Sequence, residues 1–145
     1  MKVAQMEVTQ QEWQEALVQR HGKALQEKFS KAVVAVCGLG GLGSNIAIAL
    51  ARAGVGKLIL IDFDRVDVSN LHRQQYKAGQ VGRYKTDAME GNLKEIAPYL
   101  EMELHTVKVT EDNAMDLLRD AARVMICAAH QAHTVLRILG EEYET

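Results

Sequence analysis

The sequence predicts an α/β fold on a parallel sheet, and three observations carry that prediction. Short apolar runs such as 32–37 and 57–62 are hydrophobic throughout, as strands covered on both faces must be. Stretches of helical length fall between them, giving strand and helix in alternation. A glycine-rich turn joins the first run directly to the helix that follows it. At 145 residues, 48% hydrophobic and 25% charged, the chain suits one soluble core.

The first segment, residues 1–30, reads as helical. Thr9 and Glu12 have capping-box spacing, and Trp13/Leu17 and Leu25/Phe29 are apolar pairs four apart. These pairs fit core contacts most simply, with a dimer interface as the sharper alternative. Gly22 divides the segment in two. The run Ala32-Val-Val-Ala-Val-Cys37 is the first strand. Gly38-Leu-Gly-Gly-Leu-Gly43 follows, then a helix over 44–53 that closes at Gly54. Lys57-Leu-Ile-Leu-Ile-Asp62 is the second strand.

Residues 63–80 are polar and aperiodic, as in a long functional loop or short helical turns. A helix over 81–97 stops before Pro98. Alternation at Met102, Leu104 and Val107 marks a third strand over 101–109, and Thr110 is expected to cap a short helix carrying Met115, Leu117 and Leu118. Residues 123–128 make a fourth strand, and 135–143 a weak helix. Right-handed crossovers then order the strands 3-2-1-4. The ligand crevice falls at the C-terminal edges of strands one and four, beside Gly38 and Ala128.

A net charge of −2 removes the electrostatic footprint of a general nucleic-acid binder. No apolar stretch approaches the ~18 residues of a membrane span, and the polar N-terminus lacks a secretory core. Cys37 and Cys127 are too few for a disulfide framework or a four-ligand zinc site and read as small buried hydrophobes. A cytoplasmic location is expected.

Gly38, Gly40 and Gly43 form G-x-G-x-x-G between a strand and a helix, with amides at the helix start facing an anion. Asp62 ends the next strand about twenty residues on, where a carboxylate holds ribose hydroxyls. This says nucleotide, without separating NAD from ATP. Downstream, Asn70-Leu-His-Arg-Gln-Gln75 and Val81-Gly-Arg-Tyr-Lys85 add two cations just past the second strand. Attack on the α-phosphorus of ATP needs them, because charge develops on phosphate oxygens and departing pyrophosphate. Arg73 offers a bidentate fork and Lys85 a compact charge near a helix start.

Four ordered stretches carry a resemblance over roughly residues 12–127: Gly38 to Ser44, Ile61-Asp-Phe-Asp64, Asn70 to Gln74, and Val81-Gly-x-x-Lys85. They resemble the ThiF/MoeB/HesA adenylyltransferases, relatives of ubiquitin-activating enzymes. The short ThiF subtype is the most similar, including Arg20-His-Gly22 and Leu25-Gln26. The resemblance implies a Rossmann-like ATP-binding domain over 31–145. It implies adenylylation by Mg-ATP of the C-terminal carboxylate of a ubiquitin-like sulfur carrier ending in Gly-Gly, for thiazole synthesis in the ThiF case. Gly40 and Gly41 would back the phosphates and Asp62 hold ribose. Asn70, Arg73 and Lys85 would bind the phosphate chain, with Gly38, Gly43, Ser44 and Asp64 completing the nucleotide site. Arg20 would match the arginine that such homodimers insert into the partner's site.

The sequence departs from the family in two places. Where relatives carry an acid after the fourth strand, to manage magnesium, this chain reads Cys127-Ala-Ala-His-Gln-Ala-His133, and its next acids are Glu141, Glu142 and Glu144. Relatives also continue with further strands, so the domain is expected to be incomplete at its C-terminal end. Asp64 is the candidate substitute acid. His130 and His133 lack a third metal ligand, and His72 is assigned no chemistry. The competing functions are an NAD-binding dehydrogenase domain and a non-catalytic module that holds a nucleotide or carrier.

Overall fold

The structure is a computed structural model, and it describes residues 7–127. Helix α1 (Gln10–His21) opens on the capping box the sequence predicts: Thr9 Oγ1 accepts from the Glu12 amide, and the Glu12 carboxylate accepts from the Thr9 amide. Helix α2 (Lys23–Lys31) follows after Gly22. The pair seats on the turn that ends α3 (Gly41–Ala53). Gly54 has φ +92°, and a Cβ there would stand 2.7 Å from Leu17 Cδ1 and 3.1 Å from Gln26 Oε1. A glycine is therefore needed twice over, for the left-handed turn and for the close approach. Leu17 is buried and Trp13 packs against the main core, as core contacts should. Leu25 is 40% exposed, so the second apolar pair does not belong to the core.

Strands β1 (Val33–Cys37), β2 (Lys57–Ile61), β3 (Glu101–His105) and β4 (Arg123–Ile126) are all parallel, in the order β3-β2-β1-β4. Alternate residues supply the two faces. Val34, Val36, Leu58 and Leu60 face α3 and α4 (Lys85–Ile96), meeting Ala47, Ala51, Met89 and Leu93. Ala35, Cys37, Ile59 and Ile61 face Val109 and α5 (Ala114–Leu118). The two longer helices thus share one face and α5 takes the other, as right-handed crossovers require when the order reverses at β1. That reversal brings the C-terminal ends of β1 and β4 side by side, where the Cys127 amide donates to the Cys37 carbonyl.

Cys37 is fully buried, and burial, helped by neighbouring Cys127, pushes its thiol up to about 12. Cys127 is partly buried and is raised by burial too. Both thus behave as small apolar side chains.

Several boundaries differ from the sequence reading. Helix α3 starts at Gly41, so the last glycines of the loop lie inside its first turn. Helix α4 starts at Lys85 and not at Val81. Residues 82 and 83 are instead tied to the exit of β2, with Gly82 N–H donating to Val66 O and Val66 N–H to Arg83 O. Strand β3 stops at His105 and not at Val109, and beyond it Thr106 and Thr86 share a hydroxyl hydrogen bond of 2.7 Å. The residue before α5 is Asn113 and not Thr110; Asn113 Oδ1 accepts from the Thr110 amide, reversing the expected direction. The loop 63–80 resolves into two single 3₁₀ turns, Val68–Asn70 and Ala78–Gln80. The fourth strand ends at Ile126, and Ala128, His130, His133, the three late glutamates and the helix expected over 135–143 lie outside the described residues.

Candidate nucleotide site

The glycine loop fills the turn between β1 and α3. Gly38 N–H donates to the Ile61 carbonyl at 2.8 Å, extending the β1–β2 ladder by one step before the chain turns away. Gly43 lies directly beneath Gly38. A Cβ on Gly43 would stand 1.7 Å from the Gly38 carbonyl oxygen, so no other residue fits where the helix meets the strand. The first amides of α3 have no acceptor within the helix and carry the positive end of its dipole.

Arg73 lies over this loop. Its Nη1 stands 2.5 Å from where a Cβ on Gly41 would be, so the guanidinium fills the space that a side chain there would take. Asn45, on α3, stitches the two stretches together by donating to the Gly41 carbonyl at 2.6 Å and the Arg73 carbonyl at 3.3 Å. Gln75 Nε2 donates in turn to Asn45 Oδ1 at 2.7 Å. Asn70 turns the strap with its carbonyl, which accepts from the Arg73 and Gln74 amides, and its own side chain is half-buried. The Gln74 side chain is buried, with Nε2 3.7 Å from a would-be Cβ on Gly40.

Ser44 corrects the sequence reading. It is fully buried, its hydroxyl donating to the Gly40 carbonyl and accepting from the Gln75 amide. It braces the loop from behind and does not line the ligand face.

Asp62 stands one residue beyond β2. Its Oδ2 accepts from the Leu39 amide and its Oδ1 from the Asp64 amide, each at 2.7 Å. An ionised carboxylate has about four acceptor positions, so two such bonds leave capacity for ribose hydroxyls. Asp64 continues the chain of contacts, because its carbonyl accepts from the Lys85 amide at 3.0 Å. Its side chain is exposed.

Lys85 is the first residue of α4 and only 6% exposed, yet its ammonium has no hydrogen bond or ion pair among the described residues. Its charge is felt at Asp67. The Ser69 hydroxyl, then the Ser69 amide, hold that carboxyl below its usual range, and Lys85 adds to the effect. A largely buried cation with spare donors suits an arriving anion. The arrangement therefore offers a helix N-terminus, one guanidinium, one ammonium and one anchored carboxylate at a single sheet edge.

Gly38, Gly40, Gly41, Gly43, Asp62, Asp64, Asn70, Arg73 and Lys85 are thus connected through one set of contacts. Arg20 is not brought to this site. It lies in the last turn of α1, which packs at Gly54, and α3 separates that end from Gly41 by its whole length, about 20 Å. Among the described residues no three metal-ligating side chains converge. The sequence reading gave no role to Asn45, Gln75 or Tyr76. The first two are ordinary polar residues with no spacing to mark them, and Tyr76 is marked only as an aromatic within a polar run.

Comparison with known proteins settles the family. A sequence model of the ThiF family matches residues 13–137. The chain belongs to the ThiF family. Among curated ThiF-like proteins, the sulfur carrier protein adenylyltransferase of Thermus thermophilus is 40% identical over 95 residues, which are 65% of this chain and 35% of that protein. Ubiquitin-like modifier-activating enzyme 5 of Caenorhabditis elegans is 38% identical over 90 residues, 62% of this chain and 22% of the relative. Among solved structures, the E. coli tRNA N6-threonylcarbamoyladenosine dehydratase in complex with AMP matches with a TM-score of 0.85 at 26% identity, covering 96% of this chain and 59% of that one. The same enzyme in complex with ATP gives 0.77 at 29% identity, over 85% and 52%. This ThiF-family chain thus spans a fifth to a third of those curated relatives and little over half of those solved chains.

Proposed function

We propose that this chain is the nucleotide-binding part of an adenylyltransferase that activates the C-terminal carboxylate of a ubiquitin-like sulfur carrier ending in Gly-Gly. The observation that carries the reading is the pair of cations past the second strand: Arg73 laid against Gly41 at the start of α3, and Lys85, only 6% exposed, opening α4 with its amide on the Asp64 carbonyl. A redox dinucleotide does not need two such charges past the second strand. The names of the curated relatives and the ATP and AMP held by a structural neighbour support the same choice.

In the proposed reaction a carboxylate oxygen of the carrier forms a bond to the α-phosphorus of ATP. The bond from that phosphorus to the bridging oxygen breaks, and pyrophosphate leaves with the electron pair. No general base is needed, because a terminal carboxylate is ionised at neutral pH. Asp62 binds the ribose, Gly40 and Gly41 present backbone to the phosphates, and Asn70, Arg73 and Lys85 hold the phosphate chain. Catalysis is positioning plus stabilisation of developing charge. Magnesium is proposed to enter as the ATP complex. Among the described residues no group of three or more His, Cys, Asp or Glu forms a set of ligands for it.

The test is exchange of labelled pyrophosphate into ATP. Exchange should depend on a Gly-Gly-ended carrier, and ATP with magnesium should raise the melting temperature where NAD does not. Stabilisation by NAD alone would overturn the reading. A ThiS-like carrier of thiazole synthesis is the proposed partner, and faster exchange with a molybdopterin-type carrier would displace it. The proposed setting is the cytoplasm, which localisation of a tagged chain would check.

We also propose a homodimer in which Arg20 enters the partner's nucleotide site, since α1 keeps it away from its own. An Arg20→Ala chain mixed with a Lys85→Ala chain should regain exchange that neither shows alone. A monomer in sedimentation, or no recovery on mixing, would dismiss the idea.

A further inference from the structure

We infer that Tyr76 is a positioning residue that sets the ribose-binding carboxylate through the glycine loop. The inference deepens the nucleotide reading above and rests on it. Tyr76 lies in the strap that follows Arg73, and its ring is buried in the main core beside the loop. Its hydroxyl donates to the Leu39 carbonyl at 2.6 Å. The amide of that same residue donates to Asp62 Oδ2 at 2.7 Å, and Asp62 Oδ1 takes the Asp64 amide. One phenol therefore fixes the residue that in turn fixes the carboxylate. Leu39 is itself fully buried, so its carbonyl has no ready exchange with water, and a missing donor there would loosen Leu39 and, through its amide, the Asp62 carboxylate.

The chemistry favours a tyrosine that stays protonated. Burial, and then the charge of Asp62, push its phenol above its ordinary range, so it remains a donor at any working pH. Tyr76 lies behind the loop and acts through Leu39. Its effect should therefore appear where Asp62 is used, at the ribose hydroxyls, and not along the phosphate chain.

The test compares ATP with 2′,3′-dideoxy-ATP on the whole chain, wild type and Tyr76→Phe, by calorimetry. The phenylalanine keeps the ring and removes only the hydroxyl, and thermal melting checks that the fold is retained. The expected result is about tenfold weaker ATP binding in Tyr76→Phe, the scale of one lost hydrogen bond. Dideoxy-ATP, which lacks the hydroxyls that Asp62 would grip, should change by less than about twofold, within the uncertainty of such net bond strengths. In the unsubstituted chain the Leu39 amide resonance should move on adding ATP and stay nearly still with dideoxy-ATP, a readout that needs no variant. Equal weakening of both nucleotides, or a Leu39 amide that ignores the ribose hydroxyls, overturns the inference. A wild-type chain that binds neither nucleotide overturns the nucleotide reading itself, so the two failures are told apart.

Discussion

Carrier-dependent pyrophosphate exchange should fall by at least ~10²-fold in Lys85→Ala and equally in Arg73→Ala, the loss expected when a preorganised charge contact is removed from a developing anion. The two side chains reach that role by different routes. Arg73 is held by its own backbone, through the Asn45 bond to its carbonyl and the turn at Asn70, so its guanidinium rests on Gly41 before any ligand arrives. Lys85 is held by burial at the first position of α4. Because its ammonium has no hydrogen bond or ion pair among the described residues, an apolar residue of similar length in its place breaks none there. Lys85→Met should therefore abolish exchange while leaving the melting temperature unchanged or raised. Parallel loss of activity and stability in Lys85→Met, or exchange that survives both alanine variants, would remove the assigned roles.

Gly43→Ala is the second large effect, and here stability should change most. The added methyl would stand 1.7 Å from the Gly38 carbonyl oxygen and 3.1 Å from Cys127 Cβ. Both obstacles are at or next to backbone, so no side-chain rotation relieves them. The start of α3 must lift from the end of β1, at a cost of about 3 kcal/mol or more, the upper range for overpacking. For a domain of this size that lowers the melting temperature by roughly 10 °C. Nucleotide stabilisation should vanish with it, since the amides proposed to face the phosphates start at Gly41. Gly91→Ala supplies the contrast: it lies within α4 with nothing inside 4 Å of its would-be Cβ, and should stabilise by about 0.5–1 kcal/mol. Equal melting temperatures for the two alanine variants would contradict the close approach at Gly43.

How much of this was readable in advance depends on whether a residue's role follows from local pattern. The strand order and the sheet edge that carries the site follow from apolar runs and handed crossovers, and the structure has them as expected. Gly43 and Asp62 also follow, because their spacing encodes a turn, a close approach and a carboxylate at a strand end. The role of Ser44 is not legible, since a hydroxyl next to a glycine loop looks the same in sequence whether it points outward or is buried as a brace. The helical pattern places the start of α4 too early because residues 82 and 83 bond across to Val66, a contact 16 or more residues away in sequence with no local sign. The sequence favours Thr110 because threonine is a common helix cap, but the residue before α5 is Asn113, whose side chain takes the Thr110 amide and makes no cap bond to the helix. Asn45, Gln75 and Tyr76 form the stitches of the site through contacts between distant residues, which a single sequence does not encode by spacing.

The stitches and the sheet draw on different kinds of bond. Strand pairing is made by main-chain groups that every residue possesses, whereas Asn45, Gln75 and Tyr76 join the loop to its strap through their own side chains. Replacing one of these side chains can thus reshape the loop while the main-chain pairing beneath it stays intact. The shared architecture between this chain and a dehydratase only 26% identical to it fits that division.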